Sequence, residues 1–162
     1  YYITKNDVQK YLNTYDLIVP KKFYWGKKSV KEIYILGHGF EKDLNQTRKS
    51  IEKISPVYLN SYDKILDSHS AFYCNMFITK KNYFEKYTKW LFSILEDVEN
   101  SIDISNYSTQ ETRVFGYISE ILLNVWVDKN NLKYKELNLV NTEESMAKAL
   151  KTKIYYLYKR IN

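Results

Sequence analysis

Hydrophobic and polar positions follow three patterns along this chain, and each predicts a different kind of element. The first is a helical period. Thr4, with Asp7 three residues on, opens a capping-box-like helix running to about Asn13. Ser29 to Leu36 reads as a short helix that Gly37-His38-Gly39 breaks. Leu44, Ile51 and Ile54 space a helix over Lys42 to Ile54, and Pro56 starts another that runs to about Leu66. Tyr83 to Val98 is amphipathic, with Phe84, Tyr87, Leu91, Leu95 and Val98 on one face. The second pattern is the short apolar run, which predicts strands. Asp16 to Pro20 is one, Ala71 to Ile78 reads as a strand buried on both faces, and Leu132 to Val140 is strand-like. Lys21 to Lys28, with Phe23, Tyr24 and Trp25, is expected to be a basic aromatic loop, and Asp103 to Ser108 a polar one. Strands alternating with helices in this order predict an α/β fold with an at least partly parallel sheet.

The third pattern is a helix that is apolar almost all round, Thr109 to Asp128, and such a helix belongs inside a protein. At about 100° per residue, Arg113, Tyr117, Glu120 and Asn124 share one stripe about 60° wide. That stripe must face solvent, a partner or a cleft. An arginine there is suited to clamp a phosphate or carboxylate, and a carboxylate to act as a base or hold a sugar hydroxyl. The competing reading is an Arg–Glu pair on a narrow wet face. Asn75, inside the apolar run, must find hydrogen-bond partners, either as a satisfied core residue or at a strand end that opens onto a site. His38 sits between two glycines, which lets backbone approach a ligand, and His69 precedes the apolar run. Two histidines without clustered carboxylates or cysteines give no metal-ligand set. There is no Gly-rich phosphate loop, no nucleophile elbow and no Asp-x-Asp pair.

Composition narrows the picture only slightly. With 162 residues, 44% hydrophobic and 17% aromatic, the chain can build one ordinary domain. The single cysteine, Cys74, excludes a disulfide framework. No apolar run approaches the ~20 residues of a bilayer span, and Tyr1 to Asp16 is no signal sequence, so a soluble, cytoplasmic protein is expected. The first residue is Tyr rather than Met, so an upstream segment is expected. The formal charge of +6 rests almost wholly on lysine, since Arg48, Arg113 and Arg160 are the only arginines. Abundant Lys, Asn, Ile and Tyr together look like the drift of an AT-rich coding sequence. A solvated surface is therefore favoured over nucleic-acid binding.

Several strings together carry a resemblance: Tyr15-Asp-Leu-Ile-Val-Pro-Lys-Lys22, Asn75-Met-Phe-Ile78 with Lys80-Lys81, Trp90-Leu-Phe92, Ile102-Asp-Ile-Ser105, and the long Arg113-Val-Phe-Gly-Tyr-Ile-Ser-Glu-Ile-Leu-Leu-Asn-Val-Trp126. From about Tyr11 to Val140 their order and spacing resemble the bacterial capsular and exopolysaccharide glycosyltransferases of domain-of-unknown-function family 4422. His38 with Asp43-Leu44 fits that family's His-containing segment. The resemblance implies a GT-A-like fold, of which this chain is the carboxyl-terminal portion, and transfer of sugar from a nucleotide-sugar donor to a lipid-linked oligosaccharide. It makes Glu120 and Asp103 the candidate catalytic carboxylates. Arg113, Asn75, His38, Asp43 and Tyr117 become candidates for substrate contact. GT-A enzymes commonly use a divalent ion, but no ligand set for one is visible, so the cofactor is left open. The alternative is a non-catalytic carbohydrate-binding or truncated module, with Phe23-Tyr24-Trp25 stacking on sugar rings. Two departures stand out. The family's early nucleotide-binding strand and His-Tyr-Arg-Arg run would precede Tyr1, and Phe72 stands where the family often has a histidine.

Residues 1–141 are expected to form the glycosyltransferase-like domain and residues 142–162 a separate basic amphipathic helix. Met146, Leu150, Ile154, Leu157, Tyr158 and Ile161 make its apolar stripe, and Lys148, Lys151, Lys153, Lys159 and Arg160 its charge. That composition suits either packing on the core or peripheral contact of residues 145–162 with an anionic membrane, at the inner face of the plasma membrane.

Overall fold

The structure, a computed structural model, describes residues 3–139. The expected helix over Thr142 to Asn162 lies outside them. The chain begins with α1 (Lys5–Leu12), whose Thr4 and Asp7 form the expected reciprocal cap. It continues into β1 (Leu17–Pro20), all four residues buried. After β2 (Phe23–Tyr24) come α2 (Val30–Gly37), capped by Ser29 and Glu32, and α3 (Glu41–Ile54). A 3-10 turn led by Pro56 precedes α4 (Leu59–Asp67). Then follow β3 (Ser70–Ala71), β4 (Ile78–Thr79) and α5 (Lys81–Glu99). The buried α6 (Val114–Lys129) leads to β5 (Tyr134–Leu137).

The expected mixed α/β architecture is present, with a small sheet in the order β4-β1-β5. β1 runs parallel to β5 and antiparallel to β4, so the sheet is partly parallel. Asp16 ties this corner together, its carboxylate accepting the Lys133 N–H at 2.8 Å and the Tyr83 hydroxyl at 3.0 Å.

The apolar run from Ala71 to Ile78 is not a strand. Only its ends pair, Ala71 with Phe23 and Ile78 with Ile18. Between them Cys74 and Asn75 take left-handed backbone, with φ of 72° and 46°. A run of apolar residues carries no mark of such a turn when no glycine makes it. Phe72 is buried, but Cys74, Asn75 and Met76 are exposed. The segment from Lys21 to Lys28 is correspondingly not all loop, because Phe23–Tyr24 is the partner strand of Ser70–Ala71.

α6 is the centre of the core and packs against α4 and α5. Eleven of its residues are buried. Helix α5 turns Tyr87, Trp90, Leu91, Ile94 and Val98 inward, leaving the expected core residue Phe84 half exposed. Trp90, Trp126 and Tyr58 stack in the interior.

Asp43 anchors the other end of the molecule. Fully buried, it accepts the Phe40 N–H at 3.0 Å and the hydroxyls of Tyr34 at 3.2 Å and Tyr107 at 2.5 Å. Gly39 passes so close to this knot that a methyl group there would lie 2.5 Å from Tyr34 Oη and 3.0 Å from Asp43 Oδ2. Gly39→Ala is therefore expected to lower stability by about 1–3 kcal/mol in urea unfolding. An unchanged midpoint would mean that Tyr34 and Asp43 yield freely.

Candidate functional site

The polar stripe of α6 does not face open water. Tyr117 and Asn124 are buried, Glu120 is half-buried, and Arg113 alone is exposed. Tyr117, Glu120 and Asn124 line a small cleft whose other walls include Trp25, His38 and Tyr73, and Arg113 stands beside it over the Tyr117 ring. It is small, about 30 Å³, and open to solvent on one side.

Each wall is held by local chemistry. His38 terminates α2, its N–H donating to the Tyr34 carbonyl at 2.8 Å. Its ring lies 4.2 Å, centroid to centroid, from that of Tyr117. Nε2 is hydrogen-bonded to the Tyr73 hydroxyl, and Nδ1 is buried with no partner among the described residues. Burial, and then the nearby Arg113 guanidinium, hold His38 below the ordinary imidazole range. Arg113 lies over the Tyr117 ring at 5.2 Å from its centroid and has no ion-pair partner among the described residues. The Tyr117 hydroxyl accepts from the Gln110 amide.

Glu120 is the acidic residue of the cleft lining. Burial pushes its carboxyl above the ordinary range, against the opposing pull of the Cys74 N–H and of Arg113. The Tyr73 hydroxyl is pushed up to about 12 by burial and then by the neighbouring Glu120. The result is a poised carboxylate, a neutral histidine and an unpaired guanidinium around one small space, with Trp25 and Tyr73 rings 6.0 Å apart at its edge.

The structure thus brings His38, Tyr117 and Glu120 into one cleft with Arg113 at its rim. Asn75 stands on the far side of the Cys74–Asn75 turn, where its amide donates to Ser119 Oγ at 2.6 Å. It borders a separate apolar groove that includes Phe77, Phe84 and Phe92. Asp43 lies behind Tyr34, enclosed by its donors, and is not among the lining residues. Asp103 sits in an exposed loop, accepting the Ser105 N–H at 2.9 Å, which holds its carboxyl below the usual range. Tyr73 and Asn124 complete the cleft, and neither is among the substrate-contact candidates expected from the sequence. Asn124 was visible as part of the stripe, whereas nothing in the apolar run marked Tyr73. Among the described residues no three of His, Cys, Asp and Glu are grouped to hold a metal ion.

Residues 1–131 match the family described as Domain of unknown function (DUF4422). The chain belongs to that family. No curated protein matches it. Among solved structures it is similar to the apo structure of the bifunctional glycosyltransferase WbbM, at 30% identity and a TM-score of 0.76. That likeness covers 87% of this chain and 28% of the WbbM chain, so the α/β domain here corresponds to less than a third of that protein's length. No described helix is long and apolar enough to cross a membrane.

The raised Glu120 carboxyl has a consequence for stability. A group whose folded value exceeds its unfolded one contributes stability that is full below the unfolded value, near 4.5, and is lost as pH rises through the folded one. Glu120→Gln removes that loss. Its urea midpoint is expected to match or exceed the parent's at pH 7 and to converge with it near pH 4. A variant less stable at pH 7 would show that the ionised carboxylate is a net structural asset.

Proposed function

We propose that this chain forms the acceptor-activating part of a glycosyltransferase that moves a sugar from a nucleotide-sugar donor to a cell-surface, capsular or exopolysaccharide, oligosaccharide. The observation that carries the proposal is the convergence of Glu120, His38, Tyr117 and Arg113 on one cleft. The likeness to part of WbbM supports the same reaction class.

Sugar transfer breaks the bond between the anomeric carbon and the nucleoside diphosphate and forms one to an acceptor oxygen. The acceptor proton must go somewhere, and a carboxylate raised by burial is a stronger base than one in water. Glu120 takes that proton. Negative charge grows on the departing phosphate, and the unpaired Arg113 guanidinium at the cleft rim stabilises it. His38, held neutral, orients Tyr73 through its Nε2 contact. Trp25 and Tyr73 offer ring faces for the sugar or the base.

A second reading, a sugar-binding module without turnover, is favoured by the small cleft and by the exposed rings of Phe23 and Tyr24 beside Trp25. The acceptor's lipid link belongs to the first proposal. So does contact of residues 145–162 with an anionic membrane, argued from the composition of that stretch alone and testable by co-sedimentation with anionic liposomes.

In the complete protein, Glu120→Gln is expected to lower turnover by roughly 10²-fold or more while leaving donor affinity nearly unchanged. Trp25→Ala is expected to weaken donor binding several-fold. Turnover equal to the parent's in the Gln variant would remove Glu120 from the mechanism. Sugar binding with no transfer across a donor panel would favour the module.

A further inference from the structure

The loop between β3 and β4 is gripped along its length by α6. At Ala71 the two-stranded ladder ends, and the next backbone groups are met by a side chain instead. The Phe72 N–H donates to Asn124 Oδ1 at 2.8 Å, and Asn124 Nδ2 donates back to the Phe72 carbonyl at 3.1 Å. A carboxamide presents one donor and one acceptor side by side, which is the face that an edge strand would present. Two residues on, the Cys74 N–H lies close enough to Glu120 to favour its ionised form against burial. One further on, the Asn75 amide reaches Ser119 Oγ at 2.6 Å and the Gly116 carbonyl at 3.4 Å. As the loop runs from 72 to 75, its partners run back along the helix from 124 to 116.

Asn124 also donates to the Glu120 carbonyl at 2.9 Å, so one buried amide fixes the loop to the turn of helix that bears the carboxylate. Tyr73 lies between the first two contacts, and its hydroxyl meets His38. We infer that Asn124 is a positioning residue of this site: standing in for a missing strand at Phe72, it sets where the Tyr73 hydroxyl and the Cys74 N–H stand against His38 and Glu120. Its effect on turnover rests on the glycosyltransferase reading, while the placement itself does not.

The test compares two variants of α6. Asn124→Leu removes the hydrogen bonds to Phe72 but keeps the helix apolar. Val125→Ala removes fully buried packing but none of the hydrogen bonds to the loop. In the parent, the Phe72 amide should be protected from hydrogen exchange although it belongs to no strand. N124L should lose protection at Phe72 and Cys74, move the carboxyl titration of Glu120 seen by ¹³C NMR, and lower kcat roughly 10²-fold at little-changed KM. V125A should leave all of these in place. Should N124L not fold, Asn124→Gln, which shifts the amide by one methylene, replaces it under the same criteria. An unprotected Phe72 amide in the parent overturns the inference, as does a folded variant whose Glu120 titration matches the parent's, or an equal change in V125A. If the complete protein transfers no sugar, the functional reading fails while exchange and titration still decide the placement of Asn124.

Discussion

A helix that is apolar almost all round has to be surrounded, and the rest of this domain is arranged to surround α6. Burying Ile118, Leu122, Leu123 and Val125 removes several large side chains from water, at about 1.5–3 kcal/mol each. The same burial leaves the few polar groups on α6 with no water to meet. Asn124 meets the Phe72 backbone, Ser119 meets Asn75, and Tyr117 meets Gln110. Glu120 keeps its carboxylate half out of water, with the Cys74 N–H and Arg113 favouring its charge. A core helix and a chemically poised cleft are thus two consequences of one burial.

The electrostatics follow from that arrangement. Desolvation works in opposite directions on acids and on imidazole, raising Glu120 and lowering His38. Arg113 adds to the effect on His38 and opposes that on Glu120. On the proposed reading the carboxylate moves a proton and the neutral histidine holds a geometry. Asp43, fully buried, is instead surrounded by three donors. Satisfied carboxylates hold folds together, whereas partly satisfied ones remain open to react.

Much of this was legible in the sequence. Helix positions follow from spacing and caps: Thr4, Ser29 and Pro56 sit where the helices or their leading turn begin. The stripe of Arg113, Tyr117, Glu120 and Asn124 could be drawn from periodicity alone, and of the three surroundings open to it the structure provides a cleft. Ala71 to Ile78 was misread because apolarity reports burial and not backbone angle, and Cys74 and Asn75 turn left-handed without a glycine. With the turn hidden, Tyr73 was hidden too. The family strings pointed to the same helix but could not tell a carboxylate that faces the cleft from Asp43, which is sealed behind Tyr34, or Asp103, which caps its own loop.

The central claim is that the cleft between α2, α6 and the Tyr73 loop receives a nucleotide sugar. The most direct measurement is a titration of the ¹⁵N-labelled chain with a panel of nucleotide sugars, followed residue by residue by NMR. The account predicts saturable shifts concentrated on His38, Tyr73, Arg113, Tyr117 and Glu120 for at least one donor. A well-dispersed spectrum that no donor moves, or shifts gathered elsewhere on the domain, would contradict it.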